Sequence, residues 1–233
     1  MSFCLIILAG GNSHRFRSKI GKAYQKIAGK TLIEININKA RKFKEIKKIV
    51  LVYAKKDKNR VKLIKLKNVK LIIGGKNRQQ STFNALKYLI RQGETTKVLI
   101  HDVARPNFST KLLGSILKNM RDSRAVVPKI NVHDAIKQII DSSKEEYIVG
   151  KKRENLFLTQ TPQAFNLREI YHLHKTNSNK YKDDDISLYM DLNKVKFIEG
   201  EKNNFKITDK SDFENLKSIY KSKQTVGIGF DVH

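Results

Sequence analysis

The chain opens on a run in which every position is apolar, Phe3-Cys4-Leu5-Ile6-Ile7-Leu8-Ala9, and the run stops abruptly at Gly10-Gly11. An apolar run this short, closed by a glycine turn, reads as a buried strand. Four further apolar runs follow at residues 48–54, 69–73, 97–101 and 124–128. Between them lie stretches with helical spacing of apolar residues at 31–43, 56–66, 80–91 and 110–121. Thr31 with Glu34 has the spacing of a capping box at the start of the first of these. Short apolar runs alternating with periodic helical segments predict βαβ units. The fold class expected is therefore α/β, a Rossmann-like, mostly parallel sheet with helices on both faces.

Past residue 129 the alternation breaks. Residues 131–141 and 147–165 read as extended or hairpin segments, with Lys151-Lys152-Arg153 between apolar patches. They predict a β-arm over about 130–165 that leaves the sheet and packs on a partner subunit. A helix is expected at 167–175, then a polar stretch at 176–182. Asp183-Asp184-Asp185 reads as the opening of another helix, where carboxylates suit the positive end of the dipole. A metal cluster is the weaker reading of the three, since consecutive residues at a helix start point in different directions. Residues 195–199 and 205–207 are short strand candidates, and Ser211 with Glu214 predicts a capping box before a last helix.

Composition narrows the class. At 233 residues the chain fits one large α/β domain, or one domain with an appendage. The lone cysteine, Cys4, lies inside the first apolar run and reads as a core residue of a cytoplasmic protein. That first run is too short to span a membrane and lacks the flanks of a signal peptide. The formal net charge is +26, and residues 39–70 hold fourteen basic and two acidic residues. Such charge suits nucleic acid. Yet the lysines interleave with Ile, Leu and Val at amphipathic spacing, with few aromatics to stack bases, so a solvated face is the better reading.

Right-handed crossovers place the loops after the strands along one sheet edge, where ligands of open α/β sheets bind. Three of these loops carry unusual chemistry: residues 10–22, Gly74-Gly75-Lys76-Asn77-Arg78-Gln79-Gln80-Ser81, and His101-Asp102-Val103-Ala104-Arg105-Pro106. Glycine turns let backbone N–H groups approach a phosphate closely, and Arg15 and Lys22 add positive charge beside the first. Neither G-x-G-x-x-G nor the P-loop pattern is present. Two glycine turns, several cations and one carboxylate fit a nucleoside triphosphate with a divalent metal. Asp102 is either a Mg²⁺ ligand or a partner of Arg105 that orders its loop.

With these loops in order, the chain resembles the 2-C-methyl-D-erythritol 4-phosphate cytidylyltransferases of the non-mevalonate isoprenoid pathway. The resemblance runs from residue 3 to about 222. It rests on the Leu8-Ala9-Gly10-Gly11…Arg15 loop ending in Gly21-Lys22, the Gly74-Gly75…Arg78…Ser81 segment and His101-Asp-Val-Ala-Arg-Pro106. It continues through Leu158-Thr-Gln-Thr-Pro-Gln163 and Asn204-Phe-Lys-Ile-Thr208. The family transfers CMP from CTP to a sugar-alcohol phosphate and releases pyrophosphate, with Mg²⁺ as cofactor. The resemblance implies that Arg15 and Lys22 stabilise the transition state. It implies that Ala9, Gly10, Gly11, Asn12, Ser13, Gly75, Arg78, Ser81, Asp102 and Arg105 bind CTP and its metal. Arg153 and Lys206 would hold the substrate phosphate, Arg153 acting from the arm across a homodimer interface. The first loop departs from the family pattern, which shows Gly-x-Gly there and Pro-Lys-Gln before the lysine. A cytidylyltransferase making CDP-ribitol is the nearest rival, and a basic nucleic-acid-binding protein is the rival from another class.

The far end carries a second resemblance. Thr225-Val-Gly-Ile-Gly-Phe-Asp-Val-His233 is similar to the opening of 2-C-methyl-D-erythritol 2,4-cyclodiphosphate synthases, whose Asp-x-His supplies two ligands of a divalent metal, usually Zn²⁺. Residues two apart on a strand point the same way, so Asp231 and His233 can share a metal. The domain organisation expected is a cytidylyltransferase domain over 1–222, then a linker and first strand of a truncated synthase domain over 223–233.

Overall fold

The computed structural model describes residues 2–11, 16, 18, 20–93, 95–141, 146–149, 152–178, 182–189 and 193–222. The first half follows the expected alternation: β1 (Phe3–Leu8), β2 (Lys26–Ile27), β3 (Lys30–Thr31), α1 (Leu32–Ala40), β4 (Ile46–Tyr53), α2 (Lys58–Leu63), β5 (Val69–Ile73), α3 (Arg78–Gln92), β6 (Lys97–Asp102) and α4 (Thr110–Asn119). The second half holds β7 (Ala125–Asn131), β8 (Lys137–Asp141), β9 (Glu146–Val149), β10 (Phe157–Thr159), β11 (Gln163–Asn166), α5 (Leu167–Thr176), β12 (Val195–Glu199) and α6 (Lys210–Ser222). Eight strands form one sheet in the order β10-β7-β11-β6-β1-β4-β5, with β12 on the far edge of β7. Of these, β10 and β11 run against the rest, which are parallel.

Period-two alternation sorts the core into two layers. From β1, Phe3, Leu5 and Ile7 join the layer beneath α1, α4 and α6, while Cys4, Ile6 and Leu8 join the layer beneath α3 and α5. The same division splits Ile49 and Leu51 from Val50 and Val52 on β4. A central strand covered on both faces therefore has no position free for a polar side chain, which is why its sequence shows no alternation. The capping box at Thr31 and Glu34 forms as expected: the Thr31 hydroxyl accepts from Glu34 N at 3.2 Å, and Thr31 N donates to the Glu34 carboxylate at 2.7 Å.

Four expectations need correction. The arm is shorter than 130–165: β8 and β9 pair only with each other among the described residues, but the chain is back in the sheet by Phe157. Residues 163–166 are not arm at all, since β11 inserts antiparallel between β6 and β7 with Ala164 and Phe165 fully buried. Asp183-Asp184-Asp185 opens no α-helix; only a single 3₁₀ turn, Ile186–Leu188, follows it, because the last two carboxylates are drawn into tertiary contacts. Residues 205–207 form no strand. The last helix starts on Asp209, whose carboxylate accepts from Asp212 N at 3.0 Å, while Asp212 reaches back to Thr208 N at 2.6 Å and Asp209 N at 3.2 Å. Ser211 and Glu214 lie two residues too late to cap it.

A buried polar chain ties β6 to its neighbours. His101, with no exposed surface, sets Nε2 2.8 Å from Asn36 Oδ1 and Nδ1 3.0 Å from the Thr161 hydroxyl. Asn36 donates its amide to Leu32 O and Val103 O, so its oxygen accepts from His101 Nε2–H. Thr161 then donates to Nδ1 and accepts from Asp102 N at 3.1 Å. All four groups are satisfied by one neutral tautomer. Burial pushes the His101 imidazole down from its ordinary 6.5 to about 3, with the nearby Arg105 adding to the fall against the opposing pull of Asp102.

The sign of the pH effect follows. Between pH 6.5 and about 3 the unfolded chain binds a proton at His101 that the folded chain does not. Stability is fully present above 6.5 and falls as pH drops through that window, by up to about 1.4 kcal/mol per pH unit. Denaturant unfolding at pH 7 and pH 5 will show this fall. His101→Gln will be less stable at pH 7 yet will have a flatter dependence; an identical slope in the variant overturns the assignment.

Candidate active site

The carboxyl ends of β1, β4, β5 and β6 meet at one sheet edge, and backbone bonds fasten their loops together. Val103 N donates to Leu8 O at 3.1 Å, Ala9 N to Val52 O at 2.7 Å, and Gly74 N to Tyr53 O at 2.8 Å. The loop before α3 is built around its own side chains. Ser81 Oγ accepts from Gly75 N at 3.0 Å and donates to Asn77 O at 2.8 Å, and Asn77 caps α3 by accepting from Gln80 N at 2.8 Å. A Cβ on Gly75 would stand 2.4 Å from Gln80 Cγ and 2.6 Å from Gln80 Cβ, so the turn admits only glycine as it stands. Gly11 differs. Among the described residues nothing lies within 4 Å of where its Cβ would be, so packing against them does not require glycine there.

Asp102, the last residue of β6, is the electrostatic centre. Arg78 Nε lies 3.1 Å from Oδ1 and Lys206 Nζ 2.8 Å from Oδ2. Burial alone would raise this carboxyl, but Arg78 and then Lys206 outweigh it and hold it far below the usual carboxylate range. Arg105 is not its partner: the Arg105 guanidinium donates to Asn204 O at 2.8 Å, and only its backbone N–H turns back to Asp102 O. The loop-ordering role expected of an Asp102–Arg105 pair thus falls to Arg78 and Lys206.

Beside Asp102 opens a cleft of about 630 Å³, whose lining includes Arg78, Arg105, Lys206, Thr161, Gln163 and Asp184. The expected residues divide accordingly. Gly75, Arg78, Ser81, Asp102, Arg105 and Lys206 come together at or next to this cleft. Ala9 is buried and Gly10 half-buried at the end of β1. Lys22 Nζ donates to Ile207 O, which brings the first loop against the neighbour of Lys206. Arg153 stands apart: it is exposed at the base of the arm, donating to His133 O at 3.0 Å, and does not line the cleft of its own chain. Asn12, Ser13 and Arg15, and Asp231 and His233, lie outside the described residues.

Sequence reasoning missed several members. Asp184 accepts from Thr159 Oγ1 at 2.7 Å and Gln163 Nε2 at 3.1 Å, and its second oxygen accepts from Ser187 N at 3.1 Å. Gln160 accepts from Glu201 N at 3.0 Å and donates to Glu201 O at 2.8 Å, fixing the connection that carries Lys206. The Thr-Gln-Thr-Pro-Gln string was visible as a motif, but nothing in it says which side chains face the cleft. The three aspartates do separate by direction, as consecutive residues should: Asp183 is exposed, Asp184 half-buried and Asp185 buried. They form no metal cluster, and no group of three or more His, Cys, Asp or Glu able to hold a metal occurs among the described residues. No helix among those residues is long and apolar enough to cross a membrane.

Comparison with known proteins adds the family. The model of the family IspD, 2-C-methyl-D-erythritol 4-phosphate cytidylyltransferase, matches residues 3–222. The bifunctional enzyme IspD/IspF of Pelagibacter ubique is 43% identical over 235 residues, which take in 100% of this chain and 60% of that protein. The chain spans a similar 58% of the bifunctional enzyme of Wolbachia pipientis. The 2-C-methyl-D-erythritol 4-phosphate cytidylyltransferase of Dictyoglomus thermophilum is 35% identical over 95% of this chain and 97% of its own length. In three dimensions the 4-diphosphocytidyl-2C-methyl-D-erythritol synthase of Anaerococcus prevotii superposes with a TM-score of 0.79 at 29% identity, covering 94% of this chain and 96% of that one. The family match over residues 3–222 and the likeness to a solved synthase agree, and the chain belongs to the 2-C-methyl-D-erythritol 4-phosphate cytidylyltransferase family.

Proposed function

We propose that this chain transfers CMP from CTP to 2-C-methyl-D-erythritol 4-phosphate and releases pyrophosphate. The observation that carries the reading is the cleft beside Asp102, where three cationic side chains from three different segments, Arg78, Arg105 and Lys206, converge on the rim of a glycine-loop site. In this reaction an oxygen of the alcohol's phosphate bonds to the α-phosphorus of CTP as the bond to the pyrophosphate oxygen breaks. The nucleophile is already ionised at neutral pH, so no side-chain base is needed. What the protein supplies is alignment and positive charge where negative charge accumulates.

The residues take roles on that basis. The strand end at Ala9, Gly10 and Gly11 and the loop that Gly75 and Ser81 shape cradle the nucleotide, with Asn12 and Ser13 continuing the first loop. The Ala9 and Gly75 N–H groups are already held by Val52 O and Ser81 Oγ, so these two residues act by shaping the turns. Lys22 and Arg15 neutralise charge growing on the α-phosphate. Lys206 faces the acceptor, with Arg153 of a second copy completing the phosphate site across a homodimer, while Arg78 and Arg105 hold CTP. Asp102 is the cleft carboxylate that would hold Mg²⁺, which often takes one carboxylate and fills its shell with phosphate and water oxygens; its two oxygens already meet Arg78 and Lys206, so the ion would share them with these cations. Bound there, Mg²⁺ would neutralise phosphate charge. The synthase-like segment 223–233, with Asp231 and His233 as ligands of a divalent metal such as Zn²⁺, would begin a second activity in a longer protein.

The test is pyrophosphate release that requires both CTP and methylerythritol phosphate. Ribitol phosphate serving in its place overturns the acceptor assignment. Lys22→Ala is expected to lower kcat by about 10²-fold or more, the scale of a lost preorganised charge, with little change in unfolding temperature; an unchanged kcat removes Lys22 from the mechanism. Gly75→Ala, which forces Gln80 aside, is expected to raise KM for CTP more than it lowers kcat. Mixing Lys22→Ala with Arg153→Ala protein tests the shared site. If Arg153 acts across the dimer, mixed dimers regain one intact site and about a quarter of the wild-type rate returns; no recovery means that both residues serve the same chain.

A further inference from the structure

Arg78 is divided between two carboxylates. Its Nε meets Asp102, and its second arm lies 2.8 Å from Asp185 Oδ2. Asp185 does not line the cleft. Its other oxygen is 3.0 Å from His174 Nε2 on α5, and both of these side chains are only 1% exposed. Since Arg78 and His174 together outweigh the effect of burial and hold Asp185 ionised, Nε2–H is the donor. His174 Nδ1 has no hydrogen-bond partner among the described residues, so the imidazole is buried at some expense for one contact.

Stability alone gives a poor reason for this arrangement. Buried Asp185 directly precedes Ile186, and buried His174 lies one helical turn beyond Ile170, both members of the apolar layer beneath α3 and α5, where aliphatic side chains would pack without desolvating charge. What the pair does accomplish is geometric. Arg78 is the first residue of α3 and belongs to the nucleotide loop, whereas Asp185 belongs to the segment 182–189, distant in sequence, whose Asp183, Asp184, Ile186, Ser187 and Tyr189 also line the cleft. Gln79 repeats the tie, donating to Asn177 O at 2.9 Å and accepting from Lys182 N at 3.2 Å.

We propose that His174 and Asp185 are positioning residues that lock the guanidinium of Arg78 in the orientation that orders Asp102, and so couple the nucleotide loop to the segment 182–189. The inference rests on the cytidylyl-transfer reading. A double-mutant cycle tests it, because a residue acting through Arg78 has nothing to act on once the fork is gone. His174→Phe keeps volume and removes the donor; His174→Gln keeps a donor near Nε2. His174→Phe is expected to lower kcat/KM about tenfold in the parent and less than about twofold in Arg78→Lys, while His174→Gln stays within about threefold of the parent. The KM values for both substrates should rise together. Equal losses in both Arg78 backgrounds, or a loss seen only as a lower unfolding temperature, overturn the proposal. Should His174→Phe fail to fold, Asp185→Asn replaces it in the same cycle. Turnover by the parent separates the two readings: an active parent with an additive cycle defeats this inference alone. An inactive parent defeats the cytidylyl-transfer reading, and the cycle is then read on CTP affinity by calorimetry, with the same criterion of non-additivity.

Discussion

One ionised carboxylate, buried at the end of a central strand, sets the terms for the rest of the site. Asp102 closes β6, which lies between β1 and β11 in a sheet covered on both faces. Taking a carboxylate out of water costs several kcal/mol, so cations must be delivered to it. They come from distant parts of the chain. Arg78 is placed by a glycine loop tight enough to start α3 directly above the strand ends, and Lys206 by a connection that Gln160 and the Ile207 N to Ala104 O bond hold down. The same field that keeps Asp102 ionised leaves positive charge along the cleft, and that charge suits a triphosphate and a phosphate nucleophile.

The polar chain beneath this pair explains why such an arrangement stays rigid. Asn36, His101 and Thr161 connect α1, β6 and the turn between β10 and β11 through groups that each have one compatible role. Buried networks of this kind specify one packing when every member is satisfied. Here the beneficiary is the backbone of Asp102, whose N–H ends the chain. Thr161 therefore shapes the cleft from its floor, and its effect is exerted through the strand end.

Local patterns were readable to the extent that they were local. The apolar runs of β1, β4 and β6 follow from burial on both faces, whereas β5 and β12 are edge strands whose apolar positions are only half-buried; all five were visible within a residue or two. The capping box of α1 depends on two side chains three residues apart and formed as its spacing demands. Failures occur where distant residues decide. Residues 163–166 carry no signal that separates an arm from a central strand, because antiparallel insertion between β6 and β7 depends on partners that are far away in sequence. The three aspartates satisfy every local condition for a helix start, yet Asp184 answers to Thr159 and Gln163, and Asp185 to Arg78 and His174.

The sequence by itself determined the class of the sheet, the loops that carry glycine and cations, and the family, because periodicity and short motifs are properties of neighbouring residues. Tertiary structure alone decided which charges meet. Arg78 rather than Arg105 pairs with Asp102, Lys22 reaches the neighbour of Lys206, and Arg153 stands away from its own cleft. Such pairings depend on the distance between atoms brought together by long-range folding, and the falloff of Coulomb and hydrogen-bond energies over a few ångströms makes that distance decisive.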